Sequence, residues 1–134
     1  MNENELNLEI ITPTDIVLST PVTMVVVPGI EGDMGILPGH IALVSILRPG
    51  VINIYNGNTI INNFFVSGGY VEITKERCQI LADDAIPVEQ INKADTQTEI
   101  NALQASLATS SEQEAHNLTQ RLSVLQSMLE AASK

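Results

Sequence analysis

The chain is short of several things, and each shortage removes a class of function. It has 1 cysteine, Cys78, among 134 residues, so no disulfide framework can staple it, and a reducing compartment is expected. Cys78 itself reads as a small buried hydrophobe in a strand. Tryptophan is absent and aromatics make up 3%, which leaves no stacking platform for single-stranded nucleic acid. Bases are scarce: 6 against 16 acids give a net charge of −10, which disfavours nucleic acid and anionic lipid and points to a protein partner. No run approaches the roughly 20 apolar residues of a spanning helix. Met1-Asn2-Glu3-Asn4-Glu5 has neither the basic nor the apolar part of a secretory leader, so a soluble or at most peripheral chain is expected.

What the sequence does have is a run punctuated by glycine and proline, Val27-Pro28-Gly29-Ile30-Glu31-Gly32-Asp33-Met34-Gly35-Ile36-Leu37-Pro38-Gly39-His40. Glycines at 29, 32, 35 and 39 can take positive φ, and Pro28 and Pro38 preset φ and remove donors. The expectation is a shaped loop, neither helix nor strand, anchored by Ile30, Met34, Ile36 and Leu37 and presenting Glu31, Asp33 and His40 as a contact surface.

Before this run, Leu6, Leu8 and Ile10 alternate as in a half-buried strand, and two short strands at Ile16–Ser19 and Thr23–Val27 flank Pro21, which marks an edge or a break. After it, Ile41–Leu47 is an apolar run closed by Arg48-Pro49-Gly50, a turn signature. Asn56-Gly57 between Val51–Tyr55 and Thr59–Ile61 is a hairpin signal. Phe64–Val66, Tyr70–Ile73 and Cys78–Ala82 add further strands, and about ten short strands at regular spacing indicate a sandwich or barrel.

At Ile86-Pro87 the texture changes to Gln, Ala, Ser, Leu and Glu, which places a domain boundary there: a β domain over residues 1–87 and a helical unit over 88–134. Asn92, three residues before Asp95, caps a first helix with Ile100, Leu103 and Leu107 on one face. Ser111 with Glu114 forms a capping box for a second helix, in which Ala115, Leu118, Leu122, Leu125, Leu129 and Ala132 recur at steps of three and four. So narrow a seam calls for one partner helix, hence an antiparallel helix-turn-helix leaning on the sandwich.

The chemical readings of these residues are thin. Glu31, Asp33 and His40 could together bind a metal or pass protons, but no second histidine completes a ligand motif, since His116 lies in the other domain. A phosphate cradle lacks the Gly-Lys-Ser/Thr ending and would meet negative charge. Ser67-Gly68-Gly69 is a tight link between strands and no nucleophile elbow. No catalytic residue, metal, nucleotide site or cofactor is expected. A free-standing ligand- or metal-binding sandwich that dimerises through its helices is the alternative reading.

The glycine run, with Leu47-Arg48-Pro49-Gly50, Phe65-Val66-Ser67-Gly68-Gly69 and Ile80-Leu81-Ala82-Asp83, resembles the epsilon subunit of bacterial F-type ATP synthase over most of residues 5 to 87. That resemblance implies a flattened β-sandwich followed by a helical hairpin. It also implies a non-catalytic central-stalk role: joining the gamma subunit to the membrane ring of c subunits, rotating with both, and touching alpha and beta subunits through the C-terminal helices. On that pattern Asp33, with Glu31 and Met34 beside it, faces the c ring, and His40, Leu43 and Ser45 lie toward gamma. The resemblance places the protein peripherally on the cytoplasmic face of the bacterial inner membrane.

The C-terminal part departs from the family pattern. Its bases Lys93, Arg121 and Lys134 are outnumbered by Glu89, Asp95, Glu99, Glu112, Glu114 and Glu130, so a charge grip on an acidic partner is weak. Where some members open the first helix with an Ile/Leu-Asp-x-x-Arg-Ala nucleotide motif, this chain has Ile91-Asn92-Lys93-Ala94-Asp95-Thr96, lacking both the acid and the arginine.

Overall fold

A computed structural model describes residues 4–39 and 41–133. The expectations for Met1–Glu3 and for His40 therefore fall outside the described residues. The chain separates into two compact units, one ending at Pro87 and the other beginning at Val88.

The first unit is a ten-stranded antiparallel-dominated sheet folded into a sandwich: β1 Leu6–Ile11, β2 Ile16–Val22, β3 Met24–Gly29, β4 Gly32–Ile36, β5 Leu43–Leu47, β6 Gly50–Asn56, β7 Thr59–Val66, β8 Gly69–Ile73, β9 Arg77–Ala82 and β10 Ala85–Pro87. The strands run in the order β10-β7-β6-β3-β5-β8-β9-β1-β2, with β4 paired to β3 off this path. Among the described residues only β1 and β9 pair in parallel, Leu8 opposite Cys78 and Ile10 opposite Ile80. The alternation read from Leu6, Leu8 and Ile10 is the inward face of β1, and all three are fully buried. They join Val22, Val25, Val27, Ile36, Ile52, Ile54, Val71, Ile73 and Ile80 in one apolar core.

Of the edge or break expected at Pro21, the structure has the edge: Pro21 lies inside β2, opposite Asn7, and β2 ends the sheet, where a residue without an N–H costs no ladder bond. Two other local expectations need correction. The Asn56-Gly57 hairpin exists, but Asn56 pairs with Thr59, so the two turn residues are Gly57 and Asn58. Gly57 alone takes positive φ, +65°, which suits a glycine in the first central position of a II′ turn. The runs Thr59–Ile61 and Phe64–Val66 are parts of the single strand β7, joined through Asn62 and Asn63, whose partners are Ile54 and Asn53.

The second unit is helical. After a 3-10 turn at Val88–Gln90 come α1, Lys93–Leu107, and α2, Glu112–Ala132. Asn92 caps α1, its side-chain oxygen accepting from the Asp95 amide at 3.0 Å, and Ser111 caps α2, accepting from the Glu114 amide at 3.3 Å. On α1, Thr96 and Ile100 are buried and Leu103 and Leu107 half-buried, one stripe at steps of four, three and four. On α2, Ala115, Leu118 and Leu122 are half-buried and Leu125 is buried. Beyond Leu125 the buried positions move to Met128 and Ala131, with Leu129 and Ala132 only half-buried. α2 also packs on the turn Val88–Gln90.

Candidate functional site: a stapled hairpin tip

The glycine run is largely strand. β3 and β4 form a hairpin in which Val25 faces Ile36, Val27 faces Met34 and Gly29 faces Gly32, leaving Ile30 and Glu31 as the turn. Neither residue takes positive φ, so the twist falls on Gly32, at φ +142°; of the other glycines of the run only Gly39 is positive, at +80°. Gly29 is needed for a different reason. A Cβ there would lie 2.6 Å from the Gly32 carbonyl oxygen, so the two strands close on each other at the tip only without a side chain. Regular strand wins over loop because the apolar positions that flank the turn, Val25 and Val27 on β3 and Ile36 on β4, are fully buried on one face.

The tip is fastened to β5 and to the turn after it. The Ile30 amide donates to the Ile46 carbonyl at 3.0 Å, and the Arg48 amide to the Pro28 carbonyl at 2.9 Å. The Arg48 guanidinium forks: Nη1 donates to the Gly29 carbonyl, and Nη2 meets Asp33 Oδ1 at 2.6 Å. Gly50, two residues after Arg48, packs against the Pro28 ring, where a Cβ would sit 2.8 Å from Pro28 Cβ. The Arg48-Pro49-Gly50 turn is thus the buttress of the hairpin as well as a reversal of the chain.

The expected contact residues part company here. Glu31 and Asp33 are exposed, as is Ile30 at 60%. Met34 is half-buried and packs against the core, on the inward side of β4 with Ile36. Leu43, still 39% exposed, and the half-buried Ser45 lie opposite the buried Ile73 and Val71, on the same side of β5 as the buried Leu47. The outward side carries residues that the motif reading passed over. Val44 and Ile46 are 64% and 60% exposed, and Tyr70, opposite Ile46, is 44% exposed. A signal for them was present: the run Ile41–Leu47 is apolar at every position but Ser45, which is what a strand covered on both faces looks like.

The remaining chemistry is modest. Among the described residues no group of three or more His, Cys, Asp and Glu side chains is placed to hold a metal, and Asp33 is already engaged by Arg48. A cleft of about 320 Å³ on β1, β2 and β9 is lined by Asn7, Glu9, Ser19, Thr20, Pro21 and Arg77, and Arg77 spends its charge on Glu9 at 3.0 Å. Cys78 is buried, and desolvation pushes its thiol up to about 12, so it stays protonated. No described helix is long and apolar enough to cross a membrane.

The fold is a β-sandwich with a stapled, acid-tipped hairpin, followed by a capped helical pair, and comparison with known proteins gives it a family. The family model for the ATP synthase Delta/Epsilon chain beta-sandwich domain matches residues 5–88. The ATP synthase epsilon chain of Rhodospirillum rubrum is 37% identical over 124 residues, 92% of each chain. That of Parvibaculum lavamentivorans is 35% identical over 124 residues, covering 92% of this chain and 90% of the relative. Among solved structures, a chain of the Euglena gracilis mitochondrial ATP synthase superposes with a TM-score of 0.84 at 24% identity, over 98% of this chain and 82% of that one, a likeness of fold. The chain belongs to the family of ATP synthase epsilon chains, non-catalytic stalk subunits of the rotary enzyme.

Proposed function

We propose that this subunit couples gamma to the membrane ring of c subunits, with the β3–β4 tip as the foot that meets the ring. What supports this most is the fastening of the tip: a two-residue turn held by bonds from Ile30, from the Arg48 amide and from both arms of the Arg48 guanidinium can transmit force without folding back. Exposed Ile30 supplies apolar contact, and the acids Glu31 and Asp33 set register against basic side chains of the ring more than they add affinity. Gamma then lies against β5. Leu43 and Ser45 belong to that strand, with His40 preceding it, and the apolar outward side of Val44, Ile46 and Tyr70 is the part that gains most from being covered.

On this reading the protein sits peripherally on the cytoplasmic face of a bacterial membrane, held there by the complex. The C-terminal helices reach alpha and beta subunits only weakly, because unit 88–134 carries 3 bases against 6 acids. Co-expression with gamma tests the reading. Recovery of a one-to-one complex, lost when Val44 and Ile46 are both changed to Asp, is the expected result. A stable homodimer holding a metal ion, with no gamma, would overturn it in favour of a free-standing binding module.

A further inference from the structure

We propose that Asn56 is a site of spontaneous deamidation, and that the Thr23 hydroxyl holds the reaction in check by occupying the backbone amide that would attack it.

Asparagine followed by glycine is the dipeptide most open to this reaction, because glycine has no side chain to crowd the approach of its own nitrogen. The Gly57 nitrogen, having lost its proton, attacks Cγ of the Asn56 side chain. The new N–C bond forms as the Cγ–Nδ2 bond breaks, and Nδ2 takes up the proton and leaves as ammonia. Water then opens the succinimide ring at either carbonyl, giving an aspartyl or an isoaspartyl residue at position 56. Water is the sole co-reactant.

The electrophile is available. Asn56 ends β6 and is exposed, and among the described residues its side chain makes no hydrogen bond. The nucleophile is held. The Gly57 amide donates to Thr23 Oγ1 at 2.8 Å, and the same hydroxyl donates to the Tyr55 carbonyl at 3.0 Å. The Thr23 amide donates to that carbonyl as well, at 3.1 Å. Thr23 therefore fastens the chain on both sides of Asn56, at the carbonyl of the residue before it and at the amide of the residue after it.

This restrains the reaction in two ways. The hydrogen bond stabilises the neutral Gly57 amide, whereas the attacking anion would turn a lone pair toward the Thr23 oxygen. The bond also ties the nitrogen down while Asn56 is paired with Thr59 across the ladder, so the nitrogen reaches Cγ only when this end of the hairpin opens. The product differs from the original in charge and in length. None of residues 49–71 is charged, and the reaction places a carboxylate among them. An isoaspartyl link also adds a methylene to the main chain, so β6 no longer meets β7 in register at Thr59.

The test ages the full chain at mildly alkaline pH and follows position 56 by peptide mass spectrometry and by labelling with an isoaspartyl methyltransferase. Asn56 is expected to deamidate more slowly in the folded protein than in the same chain unfolded in guanidinium. Thr23→Val keeps the branched shape and the backbone amide but removes the hydroxyl, and is expected to speed deamidation of the folded protein about fivefold, as loss of one neutral hydrogen bond predicts. Thr23→Ser, which keeps the hydroxyl, is expected to stay close to the unaltered rate. Hydrogen exchange at the amides of β9, remote in sequence from the substitution, should be the same in all three chains. Equal rates for Thr23→Val and the unaltered chain would overturn the restraint by Thr23, and so would a matching rise in β9 exchange, which would mean that the whole sandwich had loosened. Absence of deamidation at Asn56 in the unfolded chain would overturn the site itself.

Discussion

Thr96 Oγ1 lies 3.9 Å from Met128 Sδ, which joins the first turns of α1 to the last turns of α2. Further along, Arg121 Nη2 meets Glu99 Oε1 at 3.3 Å, so positions rising along α1 face positions falling along α2, as an antiparallel pair requires. The Thr96 hydroxyl is satisfied by its own helix, donating to the Asn92 carbonyl at 2.8 Å, which lets a polar residue sit buried in the seam.

Met128 is therefore a lock of the hairpin, although it lies off the leucine repeat. Met128→Ala is expected to destabilise the helical unit by roughly 2 kcal/mol, the low end for truncating a buried methionine because the side chain sits at the end of the seam. Hydrogen exchange of the α1 and α2 amides in the full chain checks this. Leu118→Ala, which trims a half-buried residue, should accelerate exchange less. The reverse ranking would place the lock in the leucines.

Weak docking of the helices onto an acidic partner predicts a small regulatory effect. Of the three bases Lys93, Arg121 and Lys134, Arg121 already faces Glu99, so less positive charge remains for a partner than the count suggests. Deleting residues 88–134 should change ATP hydrolysis by the assembled enzyme less than twofold. A severalfold rise in hydrolysis would show that the helices grip through contacts other than charge.

How far these features could be read in advance depends on whether the deciding force is local. The strands of the core were legible because Leu6, Leu8 and Ile10 alternate, and the helix starts because Asn92 and Ser111 cap within three residues of themselves. The glycine run was legible as rigid but not as a hairpin. Its glycines advertise freedom of φ, whereas Gly29 is there for a close backbone approach and only pairing across the turn reveals that. The Arg48–Asp33 fork joins residues 15 apart in sequence, and nothing in either local pattern announces the partner. Met128 was hidden because the leucine repeat points from Leu125 to Leu129, whereas the buried positions run from Leu125 to Met128 and Ala131.

The opening of α1 predicts that ATP does not bind tightly. The side chain of Asn92 is used as the helix cap, Asp95 stands exposed in the first turn, and no guanidinium is present in Ile91–Thr96 to pair a phosphate. Calorimetric titration of the protein with ATP should give no measurable heat at micromolar concentrations. A micromolar dissociation constant would mean that the site is built from other residues.

Cys78 predicts how stability responds to alkali. Burial among the strands raises its thiol from 9.0 to about 12 in the folded chain, so between those values the unfolded chain releases a proton that the folded chain keeps. Its contribution is intact below pH 9 and is lost progressively as pH rises toward 12. Cys78→Ala cannot ionise there and carries a constant small penalty for the missing sulfur. Urea midpoints measured from pH 7 to pH 10.5 should therefore converge, the wild-type chain losing its advantage above pH 9. The same burial keeps the thiolate from forming at neutral pH, so alkylation by iodoacetamide should proceed only as fast as the sandwich opens. Parallel stability curves for the two chains, or rapid labelling of the folded protein, would show that the sulfur has access to water.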